Sequence, residues 1–295
     1  MKALPKPDVL VEFSNLVQRD TQGYVADPFF DPTDRTRIFC ELRSIPHKKQ
    51  IASISVENSS AELECILPLK STSWWAYPFA FQINDDILLL PSRNYPSGPS
   101  RPLQLFAVES SRVSLVRTFP VKGVDPVVFS HQGTHVMLCG KNSRKTRMQA
   151  FVSSSLFDDD WEEVPLRVPF GVRRMGGRPT LRDGMWIAPF QQYWRHYGFS
   201  TVEFRILIDS AGINVIRMPG LTRLAGSNLA GEWNARGMHT FDMCDGWSVA
   251  DGRRSQLSDE WSIGVFQVSL QGTRMSQRER PFREKATMGV KVGSP

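Results

Sequence analysis

Val25-Ala26-Asp27-Pro28-Phe29-Phe30, Ala76-Tyr77-Pro78-Phe79-Ala80-Phe81 and Val124-Asp125-Pro126-Val127-Val128-Phe129 are three versions of one phrase. A fourth version is Gly177-Arg178-Pro179-Thr180-Leu181. A fifth, Gly237-Met238-His239-Thr240-Phe241, carries His where the others carry Pro. The marked positions recur at about 50 residues, stretching to about 60 at the last step, close to the period of four-stranded propeller blades. Each phrase reads as a short apolar strand with the Pro at its start, where a missing N–H is tolerated. Polar turns follow: Asp31-Pro32-Thr33-Asp34, Asn84-Asp85-Asp86, His131-Gln132-Gly133, Arg182-Asp183-Gly184 and Asp245-Gly246. Two further strands then complete the pattern in every unit, and a fourth in all but the last.

The fifth unit runs short of a fourth strand, and Val9–Phe13 (VLVEF) is a strand-like piece with no partner in its own neighbourhood. The expected architecture is therefore all-β: a five-bladed β-propeller whose ring is closed by an N-terminal strand in the last blade, which removes an exposed edge. Blades are expected to start near 25, 76, 124, 177 and 237, in one domain over 1–271, with a polar tail over 272–295.

Composition agrees with a sizeable core: 41% of residues are hydrophobic and 22% charged, with 18 Phe and 8 Trp. The net charge of +6 is spread along the chain. Its densest runs, Lys141–Arg147 and Arg274–Lys285, show no interleaved aromatics suited to base stacking, so no nucleic-acid partner is expected. Met1–Leu10 holds no apolar leader core, and no run of about 18 apolar residues occurs, so the expectation is a cytoplasmic protein without a membrane partner. Cys40, Cys65, Cys139 and Cys244 form no CxxC pair and read as reduced buried thiols, not a metal cluster.

In a propeller the inner strands surround one channel, so equivalent positions converge. The residues ahead of each Pro are Asp27, Tyr77, Asp125 and Arg178, with His239 in the fifth unit. Five polar groups in register would build one concave site, or else fill the channel as a salt-bridge network. Trp74, Trp75, Gln191, Gln192, Trp194, Arg93 and Glu41 lie beside them and are candidate ligand-binding residues.

These residues carry a resemblance. Ala26-Asp27-Pro28-Phe29, Phe39-Cys40-Glu41, Tyr77-Pro78-Phe79-Ala80-Phe81 and Val124-Asp125-Pro126 resemble the five-bladed propellers of furanosidase-type glycoside hydrolases. Gly176-Gly177-Arg178-Pro179, Gln191-Gln192, Tyr197-Gly198 and Gly237-Met238-His239-Thr240-Phe241 are similar to the propeller domain of glucosamine inositolphosphorylceramide transferases. By that resemblance Asp27 matches the base and Asp125 the carboxylate that tunes the acid. The Glu that serves as acid is replaced by Gly177-Arg178, and Arg cannot give up a proton near neutrality.

Within the superfamily the chain also resembles stand-alone fungal hetero-Diels–Alderases of tropolone–sesquiterpenoid biosynthesis, and this sets the leading expectation. That activity is a cofactor-independent cyclisation of aromatic and terpenoid small molecules, in which a hydroxymethyl tropolone is dehydrated to a quinone methide and added to a humulene-type terpene. His239 or Tyr77 would protonate the leaving hydroxyl and Arg178 would clamp the tropolone oxygens. Asp125 or Asp27 would orient them, while Trp74, Trp75 and Trp194 would stack on the ring. The alternative is a furanosidase-like glycoside hydrolase or transglycosidase, with Glu41 as replacement acid, or a non-catalytic carbohydrate-binding propeller.

Overall fold

The computed structural model describes residues 2–3, 6–17, 22–45, 49–57, 60–69, 74–94, 101–110, 112–141, 147–193, 198–217, 223–225, 233–254 and 261–267. The expected tail over 272–295, the basic runs at 142–146 and 274–285, and Trp194 lie outside them.

Five small antiparallel sheets form a five-bladed propeller. Blade 1 is Gln22–Phe30, Arg37–Ile45, Lys49–Glu57 and Ser60–Ile66. Blade 2 is Trp74–Ile83, Asp86–Asn94, Pro102–Glu109 and Arg112–Lys122, and blade 3 is Val124–His131, Thr134–Gly140, Met148–Ser153 and Glu162–Val164. Blade 4 has a broken inner strand, Val172–Met175 then Thr180–Arg182, both paired with Met185–Gln192, followed by Ser200–Asp209 and Gly212–Ile216. Blade 5 is Phe241–Cys244, Trp247–Arg253 and Trp261–Gln267, and its outer place is taken by Val9–Val11, through Val9↔Val265 and Val11↔Ile263. The ring closure expected from the sequence is thus observed.

The Pro position differs from expectation. Pro28 and Pro78 lie well inside their strands, and in blades 1 to 3 the Pro falls where the register slips: between Ala26 and Phe29, Ala76 and Phe79, and Val124 and Val127. A bulge leaves its extra residues out of the ladder, so the absent proline N–H costs nothing there. The residue ahead of each Pro takes the left-handed conformation: Asp27 at φ 53, Tyr77 at φ 50 and Asp125 at φ 49. Side-chain-bearing residues rarely adopt it without compensation. Here two of the freed N–H groups reach the preceding blade: Asp27 donates to Asp251 Oδ2 of blade 5 at 3.1 Å, and Asp125 to Ser92 Oγ of blade 2 at 2.5 Å. The bulge therefore turns a ladder donor into a stitch between blades.

Aromatic edges fill the joints between blades. Phe29 meets Tyr77 edge-on at 4.9 Å, Phe119 meets Trp161 at 5.7 Å, and Phe129 packs on Trp186 at 4.5 Å. Between blades 5 and 1 the filling is mainly aliphatic, Val9, Val11, Val249, Ile263 and Val265 with Val25, Ile38 and Ile54, joined by Phe13 and Phe30. Cys40 and Cys139 are buried, Cys65 and Cys244 are half-buried, and all four are free thiols. Among the described residues no helix is long and apolar enough to cross a membrane.

Candidate functional site

At the joint between blades 1 and 5 the ring opens into a small cavity of about 220 Å³. Asp27 and His239 enter it from the inner positions. Glu41 and Arg43 come from the second strand of blade 1, and Arg253 from the second strand of blade 5. Alternate residues of a strand face the same way, so Glu41-Leu42-Arg43 presents a carboxylate and a guanidinium together, and Asp251-Gly252-Arg253 repeats the arrangement. Tyr24, Lys49 and Trp261 complete the wall.

Asp251 is the hub. Its Oδ1 accepts the backbone N–H groups of His239 and Thr240 at 2.8 and 3.0 Å, and its Oδ2 accepts that of Asp27 and lies 2.6 Å from His239 Nδ1. Thr240 Oγ1 donates to Asp27 Oδ1 at 2.8 Å, and His239 Nδ1 lies 3.3 Å from the same oxygen. The imidazole stacks on Trp261 with centroids 4.2 Å apart. Burial pushes the His239 imidazolium down, but the Asp251 and Asp27 carboxylates outweigh it and hold the group up to about 9. Burial pushes the Asp27 carboxyl up; His239 pulls it back, Glu41, Asp251 and Asp125 push further, and it settles at about 7. Asp27, His239 and Asp251 also bring three possible metal-ligating atoms within 4.8 Å of one another. The imidazole nitrogen they share is already bonded to carboxylates, so the trio reads first as a proton-holding cluster.

Glu41 has different company. Its Oε1 accepts from Tyr24 Oη at 2.7 Å and pairs with Lys49 Nζ at 2.6 Å. Burial alone would lower the Lys49 ammonium, yet Glu41 and Tyr24 hold it above its ordinary value. Burial, reinforced by Glu41, raises the Tyr24 hydroxyl in turn.

The other expected site residues are placed elsewhere. Arg178 is sunk in the channel. Its Nε and Nη2 grip both oxygens of Asp242 at 2.9 and 3.0 Å, and its remaining donors reach the carbonyls of Ala80 at 2.5 Å and Phe30 at 3.0 Å. Those carbonyls belong to residues three places beyond Tyr77 and Asp27, one level deeper. Asp125 is bound by Arg174 at 3.1 Å and by Ser92; it is not part of the cavity wall, though its charge reaches Asp27 and His239. Tyr77 is fully buried, and burial holds its hydroxyl well above the ordinary value. Trp75 is buried edge-on against Phe106 with Arg93 over its ring, while Trp74 takes Arg43 on its face. Gln191 donates to the Met175 carbonyl and accepts from Tyr193, and Gln192 lies against Gly171. Of the expected residues the structure therefore gathers Asp27, His239 and Glu41. Asp251, Arg43, Lys49, Arg253, Trp261 and Tyr24 were not anticipated; the recurring acid-x-Arg spacing on the second strands was the available signal.

Gly176 and Gly177 are required on steric grounds. A Cβ on Gly177, at φ 157, would sit 1.8 Å from the Phe241 carbonyl oxygen, and one on Gly176 would meet Thr201 Cγ2 at 2.9 Å. The Phe241 N–H bonds the Gly176 carbonyl at 2.7 Å. Blade 5 is pressed so closely onto this segment that no side chain fits there.

No known family profile and no curated protein sequence matches the chain. Its fold does match solved structures. A Bombyx mori GH32 beta-fructofuranosidase in complex with sucrose superposes with a TM-score of 0.60 at 14% identity, over 88% of this chain and 61% of that one, so the chain spans less than two thirds of that enzyme. A Xanthomonas citri GH43_1 enzyme complexed with xylotriose gives 0.55 at 10% identity, covering 87% and 88%. A GH43 beta-xylosidase/alpha-arabinofuranosidase from a compost metagenome gives 0.55 at 10%, covering 90% and 95%. The fold is that of the furanosidase-type five-bladed propellers, and the matched structures are enzymes that act on sugars. The expected hetero-Diels–Alderase is corrected accordingly. The structural likeness lies with glycoside hydrolases, Arg178 spends its planar fork on Asp242, and Trp75 packs edge-on within its own blade.

Proposed function

We propose that this propeller is a carbohydrate-active protein that binds a furanoside-type sugar in the cavity between blades 1 and 5 and hydrolyses or transfers it. The observation that carries the reading is that two carboxylates in contrasting environments, Asp27 and Glu41, line one small pocket walled by Trp261 and Tyr24. Glycoside cleavage needs one carboxyl that keeps a proton for the leaving oxygen and one that stays ionised to activate water or attack. Burial raises the Asp27 carboxyl well above the ordinary carboxylate range, to about 7, the direction that suits a general acid. Glu41 pairs with Lys49 and accepts the Tyr24 hydroxyl, and supplies the second carboxylate. This reverses the roles that the family resemblance implies.

Turnover of a panel of aryl furanosides tests the proposal. Asp27→Asn and Glu41→Gln should each reduce kcat about 10²-fold or more, while binding of the intact sugar survives. Wild-type protein that neither cleaves nor binds any furanoside would refute it. Binding without turnover would support the second reading, a sugar-binding propeller, which the sterically closed acid position at Gly176-Gly177 favours.

A further inference from the structure

The Asp27 carboxyl is held on one side. Its Oδ1 accepts the Thr240 hydroxyl at 2.8 Å and lies 3.3 Å from His239 Nδ1. Among the described residues no donor reaches Oδ2, and that oxygen keeps access to the cavity that Asp27 lines. An oxygen that receives O–H and N–H donors has no room for a proton pointing back at them. A protonated Asp27 therefore carries its hydrogen on Oδ2, where a ligand can take it. The donors are themselves fixed. Thr240 is fully buried; its N–H donates to Asp251 Oδ1 at 3.0 Å, and its carbonyl accepts the Asp251 N–H at 3.2 Å, so the two residues clasp each other. Asp251 Oδ2 lies 2.6 Å from His239 Nδ1 and accepts the Asp27 N–H that the bulge frees. One fully buried carboxylate thus sets the hydroxyl, the imidazole and the backbone turn that together aim Asp27.

Resting on the reading of Asp27 as the general acid, we propose that Thr240 and Asp251 are positioning residues, which point the Asp27 proton into the cavity from Oδ2 and keep Oδ1 ready to receive the charge left behind. In the step they serve, the glycosidic bond breaks, its electron pair stays with the departing oxygen, and that oxygen takes the Oδ2 proton. The water or hydroxyl that replaces it at the anomeric carbon gives its own proton to Glu41. One proton has then left Asp27 and one has reached Glu41. The Asp27 carboxylate so formed already faces the Thr240 O–H and the imidazole N–H, donors in place before the charge develops. Neither Thr240 nor Asp251 is part of the cavity wall, so both act through Asp27 and not on the sugar.

The test compares leaving groups on the full chain, using the phenyl and dinitrophenyl glycosides of α-L-arabinofuranose and of β-D-galactofuranose. A departing phenoxide needs the acid's proton, whereas dinitrophenoxide leaves without it. Thr240→Val keeps the shape of the side chain and removes the hydroxyl. It should lower kcat/KM for the phenyl glycoside about tenfold, the worth of one hydrogen bond, and that for the dinitrophenyl glycoside about twofold or less. Thr240→Ser returns the hydroxyl and should restore the phenyl rate. Asp251→Asn should show the same selectivity more strongly; should it melt early, the two Thr240 variants decide alone. Equal losses on the two leaving groups, or a phenyl rate that serine does not restore, reduce Thr240 to a packing role and overturn the inference; if Asp27→Asn still loses the phenyl glycoside selectively, the acid reading stands without it. Absence of that selectivity in Asp27→Asn, or no cleavage of any of the four glycosides by wild type, overturns both.

Discussion

Replacing Arg178 with Met separates a strut from a ligand clamp. The side chain joins four of the five blades: it leaves blade 4, grips Asp242 of blade 5, and donates to carbonyls of blades 1 and 2. Asp242 is fully buried, and without Arg178 it keeps, among the described donors, only the Phe30 N–H at 2.9 Å. Removing one partner of a buried pair costs about 3–5 kcal/mol, because the other charge is left in a poor solvent. Whole-domain stability is typically about 5–15 kcal/mol, so the loss is a large fraction of it. At roughly 2–4 °C per kcal/mol the melting temperature should fall by roughly 6–20 °C. Thermal and urea denaturation of wild type, Arg178→Met and Arg178→Met/Asp242→Asn measure it. The double variant removes the stranded charge while keeping an acceptor for Phe30, and should recover much of the loss. A single variant within about 1 kcal/mol of wild type would refute the strut, and if it also lost ligand binding the clamp role would return.

Two further outcomes follow from the same geometry. Both shifts in the Asp27–His239 pair are upward, so the folded state holds protons that the unfolded state has released. The stabilisation from His239 is complete below about 6.5 and is lost as pH rises through about 9, and Asp27 adds a decline between about 4 and 7. Denaturation free energies at pH 6, 7.5 and 9 should therefore fall in that order, and His239→Gln should flatten the upper part of the slope. Gly177→Ala should fail to fold or lose about 4 kcal/mol or more, since its methyl would collide with the Phe241 carbonyl in a backbone conformation nearly confined to glycine; a near-native melt would show that blades 4 and 5 can part at little cost.

The propeller was legible because its constraint recurs. A Pro that fits only at a bulge, with a residue ahead of it able to turn left-handed, marks each of the first three blades in the same way, and the unpaired Val9–Val11 announced the closure. The site was half legible. Asp27 and His239 sit at the repeated position that singled them out, and Glu41 lies inside the second strand of blade 1, Arg37–Ile45. Asp251, Arg253 and Arg43 sit on second strands, outside the repeated position. Their meaning depends on blade 5 being folded back beside blade 1, which a linear sequence does not display. Arg178 shares the repeated position with Asp27, yet the glycines before it let blade 5 press close and send the side chain down the channel instead of to the mouth. Trp75 was misread for a simpler reason: its ring faces the interior of blade 2, where Phe106 claims it.

The strand Trp261–Gln267 has two employments. One end contributes the indole that walls the cavity, and its middle pairs with Val9–Val11 to hold the ring shut. Occupancy of the cavity and closure of the circle are therefore linked equilibria. A ligand that binds only the closed form tightens the weld by RT ln(1 + [L]/Kd), and anything that loosens the weld is felt as weaker affinity. A propeller of this kind carries its candidate cavity across its own clasp, so a ligand held there would leave the molecule least able to come apart.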